Sequence, residues 1–292
     1  MLFDKIQSEE DLIELIIKPK RSESHYLEYK RELEKKPKSL TKAVTAFANA
    51  SGGLLFFGIE EDENHLATKI HWLQIGNNQH TIENLILDYI QPKFPHYRIK
   101  PIHNSQDPGL GVFLVAIERG LNGPYMNSEK IHYIRRDKKS EPMNAQEIRE
   151  AMFRVGLRNA LIEELNWNLE HAKQIENQRQ KLQEATPDTN PPLKSNGMHI
   201  YPAIIPFRTE AWKAVAYSGF YSLFQEKFAL LIKLYNLIFE INYLIDYLKY
   251  GISRVQTQEH PYHENLMFLT QGKCFTIKTT VETILKRFKE EI

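Results

Sequence analysis

Hydrophobic and polar positions along the first half of the chain predict a mixture of strands and helices. Residues 26–30 alternate as a half-buried strand does, and residues 54–59 form the short continuous apolar run of a buried strand. Between them, apolar residues of the segment 40–50 recur at helical spacing, and Gly52 and Gly53 follow as a helix stop and tight turn. Further predicted elements are a helix capped by Ser8 and ended before Pro19, a helix at 81–90, and strands at 112–117 and 131–135. The first half is therefore predicted to be an α+β domain with a small mixed sheet.

From Ala145 onward, the apolar residues recur at helical spacing alone. The clearest stripe includes Leu231, Leu234 and Ile238, whose steps of three and four place them on one helix face. A last helix is predicted at 279–291, and the polar, proline-bearing segment 185–206 is predicted to be a long surface loop. We therefore divide the chain into an α+β domain at 1–152 and an all-α helical bundle at 153–292, with a role in oligomerisation or sensing.

Composition limits the classes of protein to which the chain can belong. Its 292 residues exceed the usual size of one domain, and 38 basic against 37 acidic residues give a net charge of +1. Any nucleic-acid binding must therefore come from local segregation of charge. The single cysteine, Cys274, cannot form an intramolecular disulfide, and we expect a cytoplasmic protein. Charged residues such as Lys233 and Glu240 interrupt the apolar stretch 228–248, which favours a core helix and no membrane association.

Two carboxylates and a lysine come together at the predicted first strand. Glu28 and Lys30 are two residues apart, so they project to the same face of an extended strand. Glu23 lies an odd five residues before Glu28 and would face the opposite side of a continuous strand. It can join them only if the chain turns at residues 22–24.

A third acid is available directly after the strand at 54–59, where Glu60, Glu61 and Asp62 follow one another. Three convergent carboxylates suit Mg²⁺ or Mn²⁺, which prefer oxygen ligands and neutralise phosphate charge. Such an ion could activate water for hydrolysis of a nucleic-acid backbone, with Lys30 adding positive charge. Acids at these places are also common as solvated surface or as a hairpin tip, so both interpretations stay open.

Basic residues form two clusters suited to phosphate-backbone contacts, although a solvated surface explains them comparably well. The glycines after the segment 40–50 do not make a phosphate loop, because they follow a helix and lack a lysine before serine or threonine. The candidate nucleic-acid-binding residues are Arg31, Lys35, Lys36, Lys38, Lys42, Arg135, Arg136, Lys138 and Lys139.

The order of these segments resembles the Schlafen AlbA-like domain family. The motifs that carry the resemblance are Glu23-Ser24 with Leu27-Glu28-Tyr29-Lys30, the segment 46–59, and Tyr133-Ile134-Arg135-Arg136 before Glu147-Ile148. The resemblance implies the family fold, in which some members cleave RNA with three carboxylates and Mn²⁺ or Mg²⁺. By position, Glu23 and Glu28 match the first two acids. Where the family usually has aspartate as the third, we favour Glu61 as the catalytic and metal-binding acid and keep Asp62 in reserve.

The resemblance implies a metal-dependent endoribonuclease acting on structured RNA, with tRNA as the expected substrate and antiviral (phage) defence as an expected role. The alternative is a noncatalytic nucleic-acid-binding regulator that oligomerises through its helical domain. A third interpretation makes the helical bundle a protein-interaction module. Because family members that clasp RNA present two lobes and this chain shows one, we expect a homodimer or higher homo-oligomer, with residues 220–250 as a candidate interface.

Overall fold

In the computed structural model, the chain forms two compact units, Met1–Val155 and Gly156–Ile292. The structure describes residues 2–34, 36–185, 205–218, 227–254 and 261–289. An α+β unit followed by a helical unit is the fold class that the sequence predicts, and this prediction is confirmed. Most of the predicted loop at 185–206, and Lys35, lie outside the described residues.

The first unit is built on a five-stranded mixed sheet. With the strands numbered in chain order through the whole unit, strand 1 is parallel to strand 2, and strand 2 is antiparallel to the long strand 7. Strands 5 and 6 also pair antiparallel with strand 7. A parallel pair needs a crossover, and a helix supplies it between the first two strands. The strands of this sheet are β1 (Leu27–Lys30), β2 (Gly53–Phe57), β5 (Leu73–Gln74), β6 (Tyr97–His103) and β7 (Leu110–Ile117).

Helices cover both faces of the sheet. The first unit contains α1 (Leu2–Lys5), α2 (Glu9–Leu12) leading into a π-helical turn (Ile13–Ile17), α3 (Pro37–Ala48) and α4 (Asn78–Tyr89). Alternation along β2 separates the two cores, since Leu55 and Phe57 pack with α3 and α4, whereas Phe56 packs with the N-terminal helices. Ser8 begins α2 with a capping box, as the sequence predicts.

A break at Gly58 corrects the predicted strand at 54–59. Gly58 has a φ of +99°, and a Cβ there would lie 2.8 Å from the carbonyl oxygen of His71. The chain therefore leaves the main sheet and starts a separate hairpin of β3 (Ile59–Glu61) and β4 (Ala67–Ile70). This break moves Glu61 away from the line of β2 and onto the hairpin, where it faces the segment before β1.

The turn after α3 is held by one side chain. Asn49 donates from Nδ2 to the carbonyl oxygens of Tyr125 and Tyr133, at 2.7 and 2.8 Å, and its Oδ1 accepts from the Tyr125 N–H at 2.7 Å. Gly52 has a φ of +77°, and its backbone N–H bonds to the Phe47 carbonyl oxygen at 2.9 Å. The predicted helix stop is confirmed. A second hairpin, β8 (Tyr133–Arg136) and β9 (Lys139–Pro142), contacts α3.

The described residues of the second unit share a hydrophobic core among helices. The helices of this unit are most of α5 (Ala145–Ala185) and the whole of α6 (Glu210–Ser218), α7 (Phe228–Arg254) and α8 (Pro261–Lys289). The predicted stripe of Leu231, Leu234 and Ile238 is fully buried, and the rings of Trp212 and Tyr235 stack at 4.8 Å between centroids. Most of the stabilisation of these helices comes from this shared core.

Buried polar side chains join the helices of the second unit. The Glu164 carboxylate accepts hydrogen bonds from the backbone N–H groups of Ala211 and Trp212, at 2.7 and 3.1 Å, at the start of α6. It also accepts one from the Tyr235 hydroxyl at 2.5 Å. Asn168 of α5 bonds to both backbone groups of Arg208, at 2.9 and 3.0 Å. These contacts satisfy the donors that a helix N-terminus leaves unpaired.

One stretch of the described chain, Phe228–Asp246 of α7, has the length and composition to span a membrane, with 33% of it buried inside the structure. Its buried residues, including Ile238 and Ile241, belong to the helical core. The sequence-based prediction of a core helix agrees with this packing.

Candidate functional site

A tight turn brings the Glu23 carboxylate back to β1. Ser24 and Leu27 exchange backbone hydrogen bonds, with N to O distances of 3.0 and 3.3 Å. Glu23 then folds alongside the strand, and its Oε1 accepts a hydrogen bond from the Tyr29 N–H at 2.8 Å. The turn needed to bring Glu23 towards Glu28 is therefore present, between Ser24 and Leu27, just after the predicted position.

Glu28 lies on the opposite face of β1 from its neighbours Leu27 and Tyr29, which pack in the core beneath the N-terminal helices. Its Oε1 lies 2.7 Å from Nζ of Lys30, the same-face partner that the spacing predicts. Its Oε2 lies 2.6 Å from Nη1 of Arg135. Both carboxylate oxygens are therefore in ion pairs.

Arg135 ties the two ends of the turn to the acids. Its side chain is only 2% exposed, and Nη2 donates to the carbonyl oxygens of Ser24 and Leu27 at 3.2 and 3.1 Å. The guanidinium also lies 5.1 Å from the Phe47 ring centroid and 3.7 Å from Oε2 of Glu23. This burial contradicts the sequence-based assignment of Arg135 to nucleic-acid contact, since its donors face the protein interior.

The β3–β4 hairpin adds Glu61 and His65 beside Glu23. Nδ1 of His65 lies 3.2 Å from Oε1 of Glu61 and 3.8 Å from Oε2 of Glu23. The Glu23 N–H donates to the His65 carbonyl oxygen at 2.9 Å, which fixes the two segments side by side. One ligand atom from each of the three side chains lies within 4.8 Å of the others.

Of the three candidates for the third acid, Glu61 is the one that faces Glu23. Asp62 caps its own turn, where its Oδ1 accepts from two backbone N–H groups at 2.8 and 3.0 Å. Glu60 points elsewhere, with its Oε1 3.6 Å from Nη1 of Arg31. The preference for Glu61 over Asp62 thus agrees with the geometry, although the metal-binding role of Glu61 stays a prediction.

The site concentrates negative charge in a partly desolvated place. Burial, assisted by the charges of Glu28 and Glu61, raises the pKa of Glu23 to about 6 against the lowering effect of the Tyr29 N–H. Burial acts to lower the pKa of Lys30, but the Glu28 carboxylate outweighs it and raises that pKa above its usual value. Positive charge is therefore favoured beside these acids.

The donor set of Glu23, Glu61 and His65 fits a divalent cation. Oε2 of Glu61 is shielded from solvent and has no hydrogen-bond partner within the described chain. A buried oxygen without a donor is costly, and a cation would satisfy it. Glu28, which the sequence places among the metal ligands, does not belong to this set, because Lys30 and Arg135 already hold its oxygens.

The remaining basic candidates lie at α3, at the segment before it and at the β8–β9 hairpin. Lys38 pairs with Glu129 at 2.9 Å, and Nζ of Lys42 lies 5.1 Å from the Tyr133 ring centroid. That contact places Lys42 of the first basic cluster beside the β8–β9 hairpin, which carries the second cluster. The residues with exposed or partly exposed side chains there are Arg31, Lys36, Lys38, Lys42, Arg136, Lys138 and Lys139.

His65 is the site residue that sequence reasoning missed. It has a φ of +60° at the tip of the hairpin, a region that few residues other than glycine adopt. The feature of the sequence that points to His65 is its spacing of four residues from Glu61 across a turn. That spacing could be used only if the break at Gly58 was known, because a continuous strand would have carried Glu61 away from Glu23.

Comparison with known proteins identifies the first unit. Residues 23–144 match the family model described as Schlafen, AlbA_2. The first unit therefore carries a Schlafen AlbA-like domain. This membership indicates a nucleic-acid-related function, and the match contains Glu23, Glu28, Glu61, His65 and Arg135.

Neither curated proteins nor solved structures add to this identification. No curated protein matches the chain. The crystal structure of the DIP2311 protein from Corynebacterium diphtheriae is similar at 16% identity and a TM-score of 0.30, over 43% of this chain. The match spans 26% of that protein's chain, so it carries no argument about function.

Proposed function

We propose that the protein is a metal-dependent endoribonuclease that acts on structured RNA, with tRNA as the substrate to test first. The observation that carries the proposal is the convergence of Glu23 and Glu61 from separate segments of a Schlafen AlbA-like domain. Lys30 supports it, because a cation beside the acids can attract a phosphate group.

In the proposed site, acidic side chains bind the cation, and basic side chains bind the phosphate or hold an acid in position. A divalent cation, when bound, lowers the pKa of a bound water and neutralises charge on phosphate oxygens. Glu23 and Glu61 would hold it. Lys30 would present its ammonium to the phosphate, since its side chain is 34% exposed while pairing with Glu28. Arg135 keeps Glu28 in place through a buried ion pair.

The basic residues around α3 and the β8–β9 hairpin would hold the RNA backbone. Contacts of this kind release counterions from the nucleic acid, so binding should weaken steeply as salt rises. They position the backbone and read little sequence, which suits recognition of structured RNA by shape.

Incubation of the purified full-length protein with tRNA tests the proposal. Wild-type protein with Mn²⁺ should release discrete fragments, and excess EDTA should stop their formation. Glu23→Gln keeps the size of the side chain but removes its charge, and cleavage should fall by roughly a hundredfold or more. Cleavage that continues unchanged in EDTA or in Glu23→Gln would overturn the proposal.

A noncatalytic nucleic-acid-binding regulator is the second candidate. The engagement of both Glu28 oxygens by Lys30 and Arg135 favours it, since an acid held in this way is not free for chemistry. This candidate predicts salt-dependent RNA binding with no cleavage in Mn²⁺ or Mg²⁺. The same incubation, analysed for binding as well as fragments, separates the two.

We further propose that the protein forms a homodimer through α7 and acts in phage defence. Three large apolar side chains of α7 are exposed in the single chain, namely Ile232, Phe239 and Tyr243. Burial of such residues against a second copy would remove apolar surface from water. Light scattering at micromolar concentration should give twice the monomer mass, and Phe239→Glu should return the monomer.

A further inference from the structure

We propose that His65 is a direct ligand of the divalent cation, together with Glu23 and Glu61, and that Glu28 is not a ligand. This proposal rests on the cation of the proposed function but does not need RNA cleavage. It replaces a site made only of carboxylates with one nitrogen and two carboxylate donors. The cation it would bind is a divalent transition-metal ion, for which Mn²⁺ is the probe.

Backbone hydrogen bonds hold the main chain of His65 beside the Glu23 segment. The His65 N–H donates to the Asp62 carbonyl oxygen at 3.0 Å, and the His65 carbonyl oxygen accepts from the Glu23 N–H at 2.9 Å. An adjacent bridge joins Ser22 to Leu66. Backbone bonds on both sides therefore fix the hairpin tip against the Glu23 segment. The distance between the His65 and Glu23 side chains is thus limited by the backbone as well as by the side-chain rotamers.

The three donor atoms lie within 4.8 Å of one another, which is close enough for them to share one cation. Nδ1 of His65 lies 3.2 Å from Oε1 of Glu61, while Oε2 of Glu61 is buried without a donor. The Glu23 side chain is 6% exposed, and the Tyr29 N–H occupies only its Oε1. A buried carboxylate, a partly exposed carboxylate and an exposed imidazole converge here, and they are a metal donor set because each offers a lone pair to the same place.

Glu28 is better placed as an anchor than as a ligand. To bind the cation it would have to release Lys30 or Arg135, and its pair with Arg135 is buried on both sides, at 7% and 2% exposure. Separating such a pair leaves an uncompensated buried charge. A mixed nitrogen and oxygen set also favours Mn²⁺ over Mg²⁺, since imidazole suits transition metals and Mg²⁺ prefers oxygen.

Pulsed electron paramagnetic resonance of Mn²⁺ bound to the full chain tests His65 directly. A coordinated imidazole nitrogen modulates the Mn²⁺ spin echo, so wild-type protein should show ¹⁴N modulation. His65→Asn should lose it, and asparagine tolerates the positive φ of this position. His80→Asn is the matched control, because His80 is exposed on α4 and should keep the modulation. Thermal unfolding without metal shows that the variants fold.

Affinity for Mn²⁺ gives a second, independent readout. The Kd should rise at least about tenfold in His65→Asn and by a smaller factor in Glu28→Gln, which removes a nearby charge but no ligand. Modulation that persists in His65→Asn, or a larger loss of affinity in Glu28→Gln, would overturn the proposal. Mn²⁺ binding through His65 without tRNA cleavage would refute the proposed function alone. Cleavage without ¹⁴N modulation would refute this proposal alone.

Discussion

Each unit of the protein buries a glutamate, but the two are satisfied in different ways. In the helical unit, Glu164 accepts from two backbone N–H groups and from the Tyr235 hydroxyl, all neutral donors within the fold. In the α+β unit, Glu28 faces the charged groups of Lys30 and Arg135. Both carboxylates are close to fully buried, so burial alone does not distinguish their roles.

The neighbours of each acid make the distinction. Glu164 caps a helix, and neutral donors hold both of its oxygens, so its charge is absorbed by the fold. Glu28 shares its surroundings with Glu23 and Glu61, and a Glu61 oxygen lacks a partner within the described residues. An acid that completes a hydrogen-bond network is structural, whereas acids that repel each other and leave a shielded oxygen without a donor can bind a cation.

Removal of Arg135, the buried charged partner of Glu28, should have the largest effect on stability. Arg135→Met leaves the buried Glu28 charge without its pair, and the free energy of unfolding should fall by about 3–5 kcal/mol. Arg136→Met is the matched control next to it. Arg136 pairs with Glu141 and Glu147 at the surface, so it should cost about 0–1 kcal/mol. Urea unfolding measures both, and equal losses would contradict the distinction.

Addition of Mn²⁺ should stabilise the α+β unit through Glu23 and Glu61. At a free Mn²⁺ concentration of about one hundred times Kd, the gain is about 2.7 kcal/mol. Glu23→Gln should lose this gain, whereas Glu164→Gln should keep it, because Glu164 binds only donors of the fold. Thermal unfolding with and without Mn²⁺ measures the gain. An undiminished gain in Glu23→Gln would place the ion elsewhere.

Substitution of the helix-capping acid should destabilise the protein by a smaller amount. Glu164→Gln replaces an acceptor with an amide that faces a backbone or hydroxyl donor, at a cost of about 2 kcal/mol. Glu163→Gln, at the exposed neighbouring position, should be near neutral. Urea unfolding compares the two. If both variants unfold alike, the buried carboxylate does not hold α6.

The smallest expected effect is on the pH dependence of stability. Burial lowers the pKa of His171, against the raising effect of the Ile205 carbonyl oxygen. A depressed pKa means that the unfolded chain takes up a proton first as pH falls. The stabilisation is thus complete above about pH 6.5 and declines as pH falls below it. His171→Gln should flatten this decline in unfolding curves, and an unchanged slope would contradict it.

Much of the fold follows from the sequence pattern, and its exceptions have local causes. Continuous apolar runs predict β2 and β7, because strands buried on both faces lack alternation. The strand β6 gives no such pattern, since Arg98 and Lys100 on it contact the N-terminal segment through the ring of Phe3. The apolar pattern predicts a strand that continues through Gly58, because the hydrophobicity of a residue carries no information about a positive φ.

The candidate site was predicted in part. Spacing predicts the pairing of Glu28 with Lys30, and it states the condition, a turn, under which Glu23 can approach. It does not predict that Arg135 is buried, because a basic pair at a strand end looks the same whether it faces RNA or an acid. His65 depends on contacts between the hairpin and the segment before β1, which are distant in sequence.

Cleavage of tRNA by variants at two adjacent positions, Glu60 and Glu61, tests most directly the claim that Glu23 and Glu61 mark a nuclease site. Glu61 and Glu60 are adjacent in the chain, but only Glu61 faces Glu23, while Glu60 lies beside Arg31. With Mn²⁺, Glu61→Gln should cleave tRNA at least about a hundredfold more slowly than the wild type, and Glu60→Gln should cleave at nearly the wild-type rate. Equal rates in the two variants, or no cleavage by the wild type, would contradict the assignment of a nuclease site to these acids.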